Sequence, residues 1–415
     1  MRRPRAAILV SGSELLDGRR RDTNGHHIAS QLSARGATVD HLLVAPDDLD
    51  VLVADLRFLL AAAPDLLVVS GGLGSTHDDL TLRAVADALA RPLREHPAAR
   101  TMVEERSAVV ARRRGLRYED VLEHTAKLAR LPLGSVPLAP AGLAPGIALR
   151  EGPTRVYALP GVPHELETML AAIVDELASG GFFPPLAERV VRTFGGGELQ
   201  IAAILEAVSH ERLEVAVTAG GGEVSVVLRH DPGDADACRQ AAALVASIEA
   251  GAAVFSVDGR SVDRIVADGL RARGETLATA ESCTGGLLGG RVTEVPGSSE
   301  VYVGGVVAYS DDLKRRLLDV PGGLLAQYGA VSEAAAAAMA EGVVAVSGAT
   351  HGLAITGVAG PAGGSGEKPV GLVFVGRAGR SPTEVRRHVF PGDRAEVRRW
   401  AVTAALHLLR EALSS

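Results

Sequence analysis

Short strand-like runs alternate with amphipathic stretches along the first part of the chain. Residues 6–11, 38–44 and 65–70 have the length and apolar content of strands. Between them, apolar residues recur at the spacing of one helical face, and Asp, Asn or Thr stands where each helix would begin. This regular alternation predicts a doubly wound α/β domain.

Two further patterns follow a break at Gly180-Gly181-Phe182-Phe183-Pro184-Pro185. The first has three short strands and two helices and predicts a small α+β module without a catalytic constellation. From about residue 256, strands and helices alternate again and predict a second α/β layer structure. The predicted domains are therefore residues 1–175, 176–255 and 256–415.

One strand-to-turn transition organises the third domain. A β-prone run at residues 275–280 meets Ser282-Cys283-Thr284-Gly285-Gly286, and a helical pattern with Leu287, Leu288 and Val292 follows. A sharp strand-to-helix turn exposes its side chains and points free N–H groups at whatever lies there. A serine in that place is close to an oxyanion hole. The alternative is that Ser282 or Thr284 is an ordinary helix N-cap.

Two polar loops follow strands of the first domain. Ligands bind beyond the carboxyl ends of strands in such sheets, which is where both loops lie. Glycines let a backbone approach phosphate, and carboxylates can hold a hard metal ion. The predicted site residues are Glu14, Asp22, Asn24, Gly71, Gly72, Gly74, Asp78, Asp79 and Lys127. Asp78 and Asp79 are the predicted metal ligands, with helix capping as the alternative.

Composition narrows the classes of function. The net charge is −7, and no basic run exceeds three residues, which argues against direct nucleic-acid binding. No apolar stretch reaches the length of a membrane span, and the start of the chain lacks the pattern of a signal peptide. Two cysteines, Cys238 and Cys283, cannot form a disulfide framework. We therefore expect a cytoplasmic protein.

Lysine is rare in this chain. Only Lys127, Lys314 and Lys368 are lysines among 43 basic residues. Arginine does not release its proton in a protein, whereas a desolvated lysine can. A lysine kept in such a chain can therefore have a role that arginine cannot fill, and chance is the alternative for any one of the three.

The whole chain resembles the CinA family of competence/damage-inducible proteins. The motifs that carry the resemblance are Glu281-Ser282-Cys283-Thr284-Gly285-Gly286, Tyr309-Ser310 with Lys314, Gly329-Ala330-Val331-Ser332-Glu333, Thr356-Gly357-Val358-Ala359-Gly360-Pro361, Glu367-Lys368-Pro369-Val370-Gly371 and Gly392-Asp393-Arg394. The first domain resembles MoaB/Mog-like molybdopterin-binding domains, and the middle resembles the KH-like linker of the family. The last domain resembles the PncC-type nicotinamide mononucleotide (NMN) amidohydrolase.

The resemblance implies hydrolysis of NMN to nicotinate mononucleotide and ammonia, in pyridine nucleotide salvage. Ser282 would be the nucleophile, Lys314 its base, and Tyr309 a proton relay or orienting group. The alternative for Lys314 is a solvated helix residue beside Arg315 and Arg316. The implied oxyanion and substrate-binding residues are Thr284, Gly285, Gly286, Thr356, Gly357, Lys368 and Arg394. Cys283 is a rival nucleophile. No cofactor is expected for this reaction, and a homodimer is implied.

The first domain departs from the family pattern. Relatives with ADP-ribose pyrophosphatase activity read Gly-Asp-Glu-Leu-Leu where this chain has Gly12-Ser13-Glu14-Leu15-Leu16. The resemblance implies a divalent metal such as Mg or Co at this site, and the lost carboxylate predicts a weakened pyrophosphatase. Two other readings are a catalytically silent nucleotide- or pterin-binding scaffold and a competence-associated accessory protein.

Overall fold

The predicted alternation of strands and helices is present in the structure, a computed structural model that describes residues 3–414. The chain divides between Leu186 and Ala187 into two units. The elements of the N-terminal unit are β1 (Arg5–Ser11), α1 (Ser13–Leu16), α2 (Asn24–Ala34), β2 (Thr38–Ala45), α3 (Leu49–Ala61), β3 (Leu66–Ser70), α4 (Thr81–Ala88), β4 (Leu93–Glu95), α5 (Pro97–Arg114), α6 (Tyr118–Thr125), β5 (Arg130–Pro132), β6 (Val136–Leu138), β7 (Gly146–Glu151), β8 (Thr154–Leu159) and α7 (Pro163–Ser179).

The main sheet of this unit has the strand order β2-β1-β3-β8-β7-β6. The first four strands are parallel, and β7 and β6 are antiparallel additions. Successive side chains of a strand point to opposite faces. Accordingly Ala7 and Leu9 pack into the core with α3, α4 and α5, while Ile8 and Val10 pack with α2 and α7. The sheet is therefore covered on both faces, as the doubly wound prediction requires.

The second unit begins with the small module and continues into the third predicted pattern. Its elements are β9 (Ala187–Phe194), α8 (Gly197–Ala207), β10 (Glu214–Gly220), β11 (Glu223–His230), α9 (Ala235–Gly251), β12 (Val254–Ser256), α10 (Val262–Arg273), β13 (Leu277–Glu281), α11 (Leu287–Thr293), β14 (Tyr302–Val307), α12 (Asp311–Leu318), α13 (Gly322–Tyr328), α14 (Glu333–Ser347), β15 (His351–Gly357), β16 (Leu372–Ala378), β17 (Glu384–Val389) and α15 (Arg394–Ser414). The module is an antiparallel sheet, β10-β11-β9-β12, with α8 and α9 against it.

The larger sheet of the second unit has the order β14-β13-β15-β16-β17. Strand β13 lies between β14 and β15 and is parallel to both. Every residue of β13 is buried, because α14 packs on one face of the sheet and α10 and α15 pack on the other. The carboxyl ends of three parallel strands therefore meet at one edge, which is where ligands bind in such sheets.

A buried histidine joins the small module to the larger sheet. His407 of α15 is fully buried and stacks on Phe194 with ring centroids 3.8 Å apart. Its Nε2 lies 2.8 Å from the Glu223 carboxylate. Burial lowers the pKa of His407 despite that carboxylate, so the imidazole is neutral and donates to Glu223 at neutral pH.

Sequence patterns missed several short elements. Strands β4, β5 and β6 have three residues each, too few to show a period. The strand predicted over residues 301–310 ends at Val307, and Ser310 rather than Asp311 caps α12. The predicted domain boundaries near residues 175 and 255 remain a prediction. Within residues 3–414, no helix is both long and apolar enough to span a membrane.

Candidate active site

The Ser282 turn lies at the carboxyl end of β13, held between two neighbouring strands. The Ser282 N–H donates to the Ile355 carbonyl of β15 at 2.9 Å. The Ala308 N–H, just beyond β14, donates to the Glu281 carbonyl at 2.9 Å. These bonds bring the Ser282 turn beside the residues that follow β14 and β15. Three of the motifs singled out in the sequence therefore meet at one sheet edge.

The Glu281 carboxylate occupies the start of α11. It accepts hydrogen bonds from the N–H groups of Gly286, Leu288 and Gly289 at 2.8–3.0 Å. The expectation of a free helix N-terminus is therefore wrong, because the Glu281 carboxylate accepts the hydrogen bonds of those amides. The capping alternative is wrong as well: neither Ser282 nor Thr284 caps α11.

Two amides remain as candidate oxyanion donors. The Gly285 N–H donates to the Ser282 carbonyl at 3.1 Å, and Gly286 is bound to Glu281, so neither of these predicted donors is free. Among the described residues, the amides of Cys283 and Thr284 have no backbone acceptor. The Thr284 hydroxyl is buried there without a partner. The turn thus has two amides, one and two residues after Ser282, that no backbone carbonyl of the described residues accepts from.

Lys314 is buried, with an exposed fraction of 1%. Its Nζ donates to the Tyr309 main-chain carbonyl at 3.1 Å and lies 3.7 Å from Asp311 Oδ1. Burial lowers the pKa of Lys314, and the Asp311 carboxylate opposes this shift in part. The solvated alternative is therefore wrong. A lysine with a lowered pKa has more of the neutral amine that a base requires.

Cys283 is buried next to Ser282. Burial raises the pKa of its thiol to about 11. A thiol with that pKa is protonated at neutral pH, and the thiolate is the nucleophilic form. Lys314 donates to the carbonyl of Tyr309, the residue after Ala308, whose N–H donates to the Glu281 carbonyl, and these bonds bring the lysine to the side of the Ser282 turn. These properties favour Ser282 over Cys283 as the nucleophile.

The Tyr309 hydroxyl contacts Arg394 and forms no hydrogen bond with Lys314. The residue is 59% exposed, and its hydroxyl accepts from Arg394 Nη2 at 3.2 Å. Lys314 contacts the main-chain carbonyl of Tyr309 and not its phenol. The relay role is therefore not supported; Tyr309 positions Lys314 through its backbone and contacts Arg394 through its side chain.

Three predicted substrate-binding residues hold the fold together instead. Thr356 is fully buried, and its hydroxyl donates to the Ala330 carbonyl at 2.7 Å. Lys368 Nζ donates to the Tyr328 carbonyl, also at 2.7 Å. A Cβ at Gly357 would lie 2.6 Å from the Leu372 carbonyl, so close strand packing explains that glycine.

Arg394 lines a cleft of about 600 Å³ beside this edge. Arg398 lines the same cleft, and its Nη2 donates to the Thr284 carbonyl at 2.6 Å. Sequence reasoning missed Arg398, although its position four residues after Arg394 places both on one helical face. Ser282 and Lys314 do not line this cleft.

Eight of the nine site residues predicted in the first domain line one cleft of the N-terminal unit, with a volume of about 530 Å³. They are Glu14, Asp22, Asn24, Gly71, Gly72, Gly74, Asp78 and Asp79. Lys127 lies off this cleft and donates to the Thr76 carbonyl. The glycines and polar side chains are therefore brought together as a ligand cleft would require.

Two carboxylates of this cleft accept hydrogen bonds from the backbone. Asp79 accepts from the Thr76 N–H at 2.7 Å, and Asp22 accepts from Gly25 at the start of α2. Helix α4 has no side-chain cap, so the capping alternative for Asp78 and Asp79 is wrong. Within residues 3–414, no three His, Cys, Asp or Glu side chains are grouped to hold a metal ion. The divalent metal implied by the resemblance therefore stays a prediction.

Ser13 forms two hydrogen bonds with Asp47. Its N–H donates to Asp47 Oδ2 at 2.9 Å, and its hydroxyl accepts from the Asp47 N–H at 3.0 Å. Ser11 also donates to Asp47, at 2.6 Å. Asp47 therefore supplies a carboxylate beside position 13, where the family pattern has its own aspartate.

Family models match most of the chain in two parts. Residues 7–179 match the probable molybdopterin binding domain, and residues 259–413 match the CinA C-terminal domain. The fold and the two sites thus define a protein with a molybdopterin-binding-type α/β unit followed by a CinA C-terminal domain.

Bacterial relatives match this chain over nearly its full length. A CinA-like protein of Mycobacterium sp. (strain JLS) is 40% identical over 99% of both chains. The CinA-like protein of Mycobacterium tuberculosis (strain ATCC 25177 / H37Ra) is 37% identical over 99% of this chain and 97% of its own. The competence damage-inducible protein A of Klebsiella pneumoniae is a solved structure with 41% identity, covering 37% of this chain and 95% of that one, at a TM-score of 0.36. The chain belongs to the CinA family.

Proposed function

We propose that the C-terminal domain is an amidohydrolase that converts NMN and water to nicotinate mononucleotide and ammonia. The observation that carries this proposal is Lys314, a buried lysine with a lowered pKa beside a serine turn. Burying a lysine side chain costs free energy, and the Asp311 carboxylate at 3.7 Å offsets that cost only in part, so the buried lysine calls for a functional reason. Proton abstraction from Ser282 supplies that reason.

The reaction runs in two stages. Neutral Lys314 takes the Ser282 hydroxyl proton while Oγ bonds to the carboxamide carbon. The amides of Cys283 and Thr284 hold the resulting oxyanion. Lys314 then gives its proton to the amide nitrogen, the carbon–nitrogen bond breaks, and ammonia leaves an ester on Ser282.

Water completes the cycle. Lys314, neutral again, takes a proton from a water molecule whose oxygen attacks the ester carbon. The ester bond breaks, Ser282 regains its proton from Lys314, and nicotinate mononucleotide is released. Each stage uses one base and one oxyanion site, and neither stage consumes a cofactor.

The bond that is cleaved tests this proposal. We expect proton NMR of NMN incubated with the full chain to show nicotinate mononucleotide, because the serine attacks the carboxamide. Free nicotinamide with ribose 5-phosphate would mean cleavage of the glycosidic bond and would contradict the proposal. Boiled protein and NMN alone serve as blanks.

For the N-terminal unit we propose binding of a nucleotide or pterin ligand in the glycine-lined cleft, with weakened ADP-ribose hydrolysis. The cleft geometry around Gly71, Gly72 and Gly74 supports ligand binding. The absence of three grouped ligands among residues 3–414 gives no support to a metal-dependent step.

Restoring an aspartate at position 13 is expected not to restore the pyrophosphatase. Ser13→Asp places a carboxylate beside Asp47, and like charges destabilise the loop by about 1 kcal/mol. We expect this variant to unfold at lower temperature than the uncharged Ser13→Asn, with the difference disappearing at acid pH as carboxylates become protonated. AMP formation from ADP-ribose with Mg or Co, at a rate well above wild type, would contradict this expectation.

A further inference from the structure

Asp311 forms an ion pair with the buried lysine. It is the first residue of α12, and Lys314 lies three residues later on the same side of the helix. Asp311 Oδ1 lies 3.7 Å from Lys314 Nζ. The lysine side chain is 1% exposed, whereas the aspartate side chain is 59% exposed. The pair therefore joins a buried cation to a carboxylate that is open to solvent.

Two oxygens at the start of α12 fix the position of the Lys314 nitrogen. Nζ donates to the Tyr309 carbonyl at 3.1 Å and lies beside the Asp311 carboxylate. The hydroxyl of Ser310 caps α12 and so holds the turn that carries both oxygens. A lysine nitrogen has three directions for polar partners. One direction therefore remains for the proposed exchange of a proton with Ser282.

The charge on Asp311 is the main electrostatic influence on Lys314. Burial lowers the pKa of Lys314, and Asp311 is the strongest influence in the opposite direction, followed by Cys283 and Tyr309. The Cys283 thiol is uncharged at neutral pH because its pKa is about 11, and a phenol is uncharged there as well. The buried residues of α14, which packs against α12, are alanine, glycine, methionine and valine. Near neutral pH, Asp311 is therefore the charged group to which the lysine responds.

A base that acquires a charge during the reaction needs a nearby carboxylate. In the proposed reaction, Lys314 becomes an ammonium each time it takes a proton from Ser282 or from water. A buried ammonium costs free energy, and an opposite charge beside it reduces that cost. In serine hydrolases, the carboxylate of the triad orients the base and stabilises its cation in this way. Asp311 stands in the corresponding place next to Lys314.

We propose that Asp311 is a positioning residue of the amidase, which orients Lys314 and stabilises the ammonium that forms when Lys314 takes a proton. Asp311 acts through Lys314 rather than on the carboxamide itself. Its role in amide hydrolysis rests on the proposed function, whereas its contact with the lysine nitrogen does not.

The pH profile of kcat/KM for NMN tests this role. We expect Asp311→Asn to move the acid limb, where Lys314 gains its proton, about one pH unit lower, a small shift for a charge this close because Asp311 is exposed. Below the limb the variant should be about threefold more active than the wild type, and on the plateau about threefold less active, because its base is weaker. An equal loss at every pH, with the limb unmoved, would mean a structural role and would overturn the proposal.

Asp312→Asn is the matched control. Asp312 lies in the same first turn of α12 and has a similar exposure of 60%, but its carboxylate pairs with Arg316 Nη1 at 3.3 Å. Both substitutions remove one negative charge from the start of the helix, so their effects through the helix dipole are alike. We expect Asp312→Asn to leave the acid limb in place, and Asp311→Glu, which keeps the charge, to move it by at most a few tenths of a unit. A limb that moves as far in either of these variants as in Asp311→Asn would contradict the proposal.

The small number of lysines allows a test without NMN. In the full chain labelled with 13C-lysine, three side-chain Cε signals titrate, and the signal lost in Lys314→Arg belongs to Lys314. We expect the midpoint of that signal to lie about one pH unit lower in Asp311→Asn than in the wild type. An unmoved midpoint would overturn the proposal whatever the activity. A lowered midpoint, with no ammonia released from NMN by the wild type, would leave the contact standing and reject the amidase.

Discussion

Lys314→Met is expected to lose ammonia release from NMN and to resist denaturant better than the wild type. Loss of a general base lowers kcat by about 10²–10⁴-fold. Methionine has a similar length and adapts to irregular spaces, and it removes a buried charge whose nearest carboxylate oxygen is 3.7 Å away. We estimate a stability gain of about 1–2 kcal/mol, since replacing buried charges with apolar groups is often stabilising.

The pH dependence gives the stability part of this prediction a definite sign. The pKa of Lys314 is lowered in the native state from the ordinary 10.5. Between the lowered pKa of the native state and 10.5, the unfolded chain binds more protons than the native chain. The free energy of unfolding of the wild type therefore rises with pH over that range. The advantage of Lys314→Met should therefore be largest below the native pKa and shrink as the pH approaches 10.5.

Urea unfolding midpoints at several pH values, with ammonia assays on the same samples, measure both effects. Lys314→Arg is the matched control, because it keeps the charge and cannot serve as a base. We expect it to lose activity without gaining stability. An active Lys314→Met, or one that is less stable than the wild type at every pH, would contradict the assignment of a buried lysine base.

Ser282→Ala is expected to lower kcat by about 10⁴-fold or more, the scale seen when a serine nucleophile is removed. Cys283→Ala is its matched control: adjacent, similarly buried, and protonated at neutral pH because the pKa of its thiol is about 11. We expect that variant to keep activity within a few-fold of the wild type. Ammonia release from NMN, with thermal unfolding to verify folding, measures both variants.

The opposite result would reassign the nucleophile. If Cys283→Ala lost activity and Ser282→Ala retained it, the thiol would be the attacking group and its burial would have to be relieved on substrate binding. If both variants were fully active, neither residue of the turn would carry the chemistry.

Long periodic segments made the fold predictable. Strands β1, β3 and β13 lie within two residues of their predicted ends, because buried apolar runs are strong signals. The meeting of the Ser282 turn with the ends of β14 and β15 was predictable too, since parallel strands place their carboxyl ends at one edge. Strand β6 was not predictable, because its pairing depends on residues distant in sequence.

The motifs did not predict which groups the side chains of the site contact. In the sequence, Glu281 is only one position of a motif. The folded turn shows that its carboxylate accepts hydrogen bonds from the first amides of α11. Thr356 reads as a ligand-binding threonine, yet its hydroxyl bonds to Ala330. Tyr309 presents its backbone, not its phenol, to Lys314. Each outcome depends on tertiary contacts that sequence spacing does not specify.

The two remaining readings make different predictions. A catalytically silent scaffold would bind nucleotides in the N-terminal cleft and leave NMN intact. A competence-associated accessory protein would owe its role to partners, and the loss of Ser282 would not affect that role. The buried Lys314 is explained by neither reading, whereas a serine–lysine amidohydrolase requires it.

The rate of ammonia release from NMN by purified wild type and Ser282→Ala, measured side by side, tests the central claim most directly. The account predicts release in proportion to wild-type protein, equimolar with nicotinate mononucleotide, and none above blank from the variant. A folded wild type that releases no ammonia, or a variant that releases it as fast as the wild type, would contradict the account.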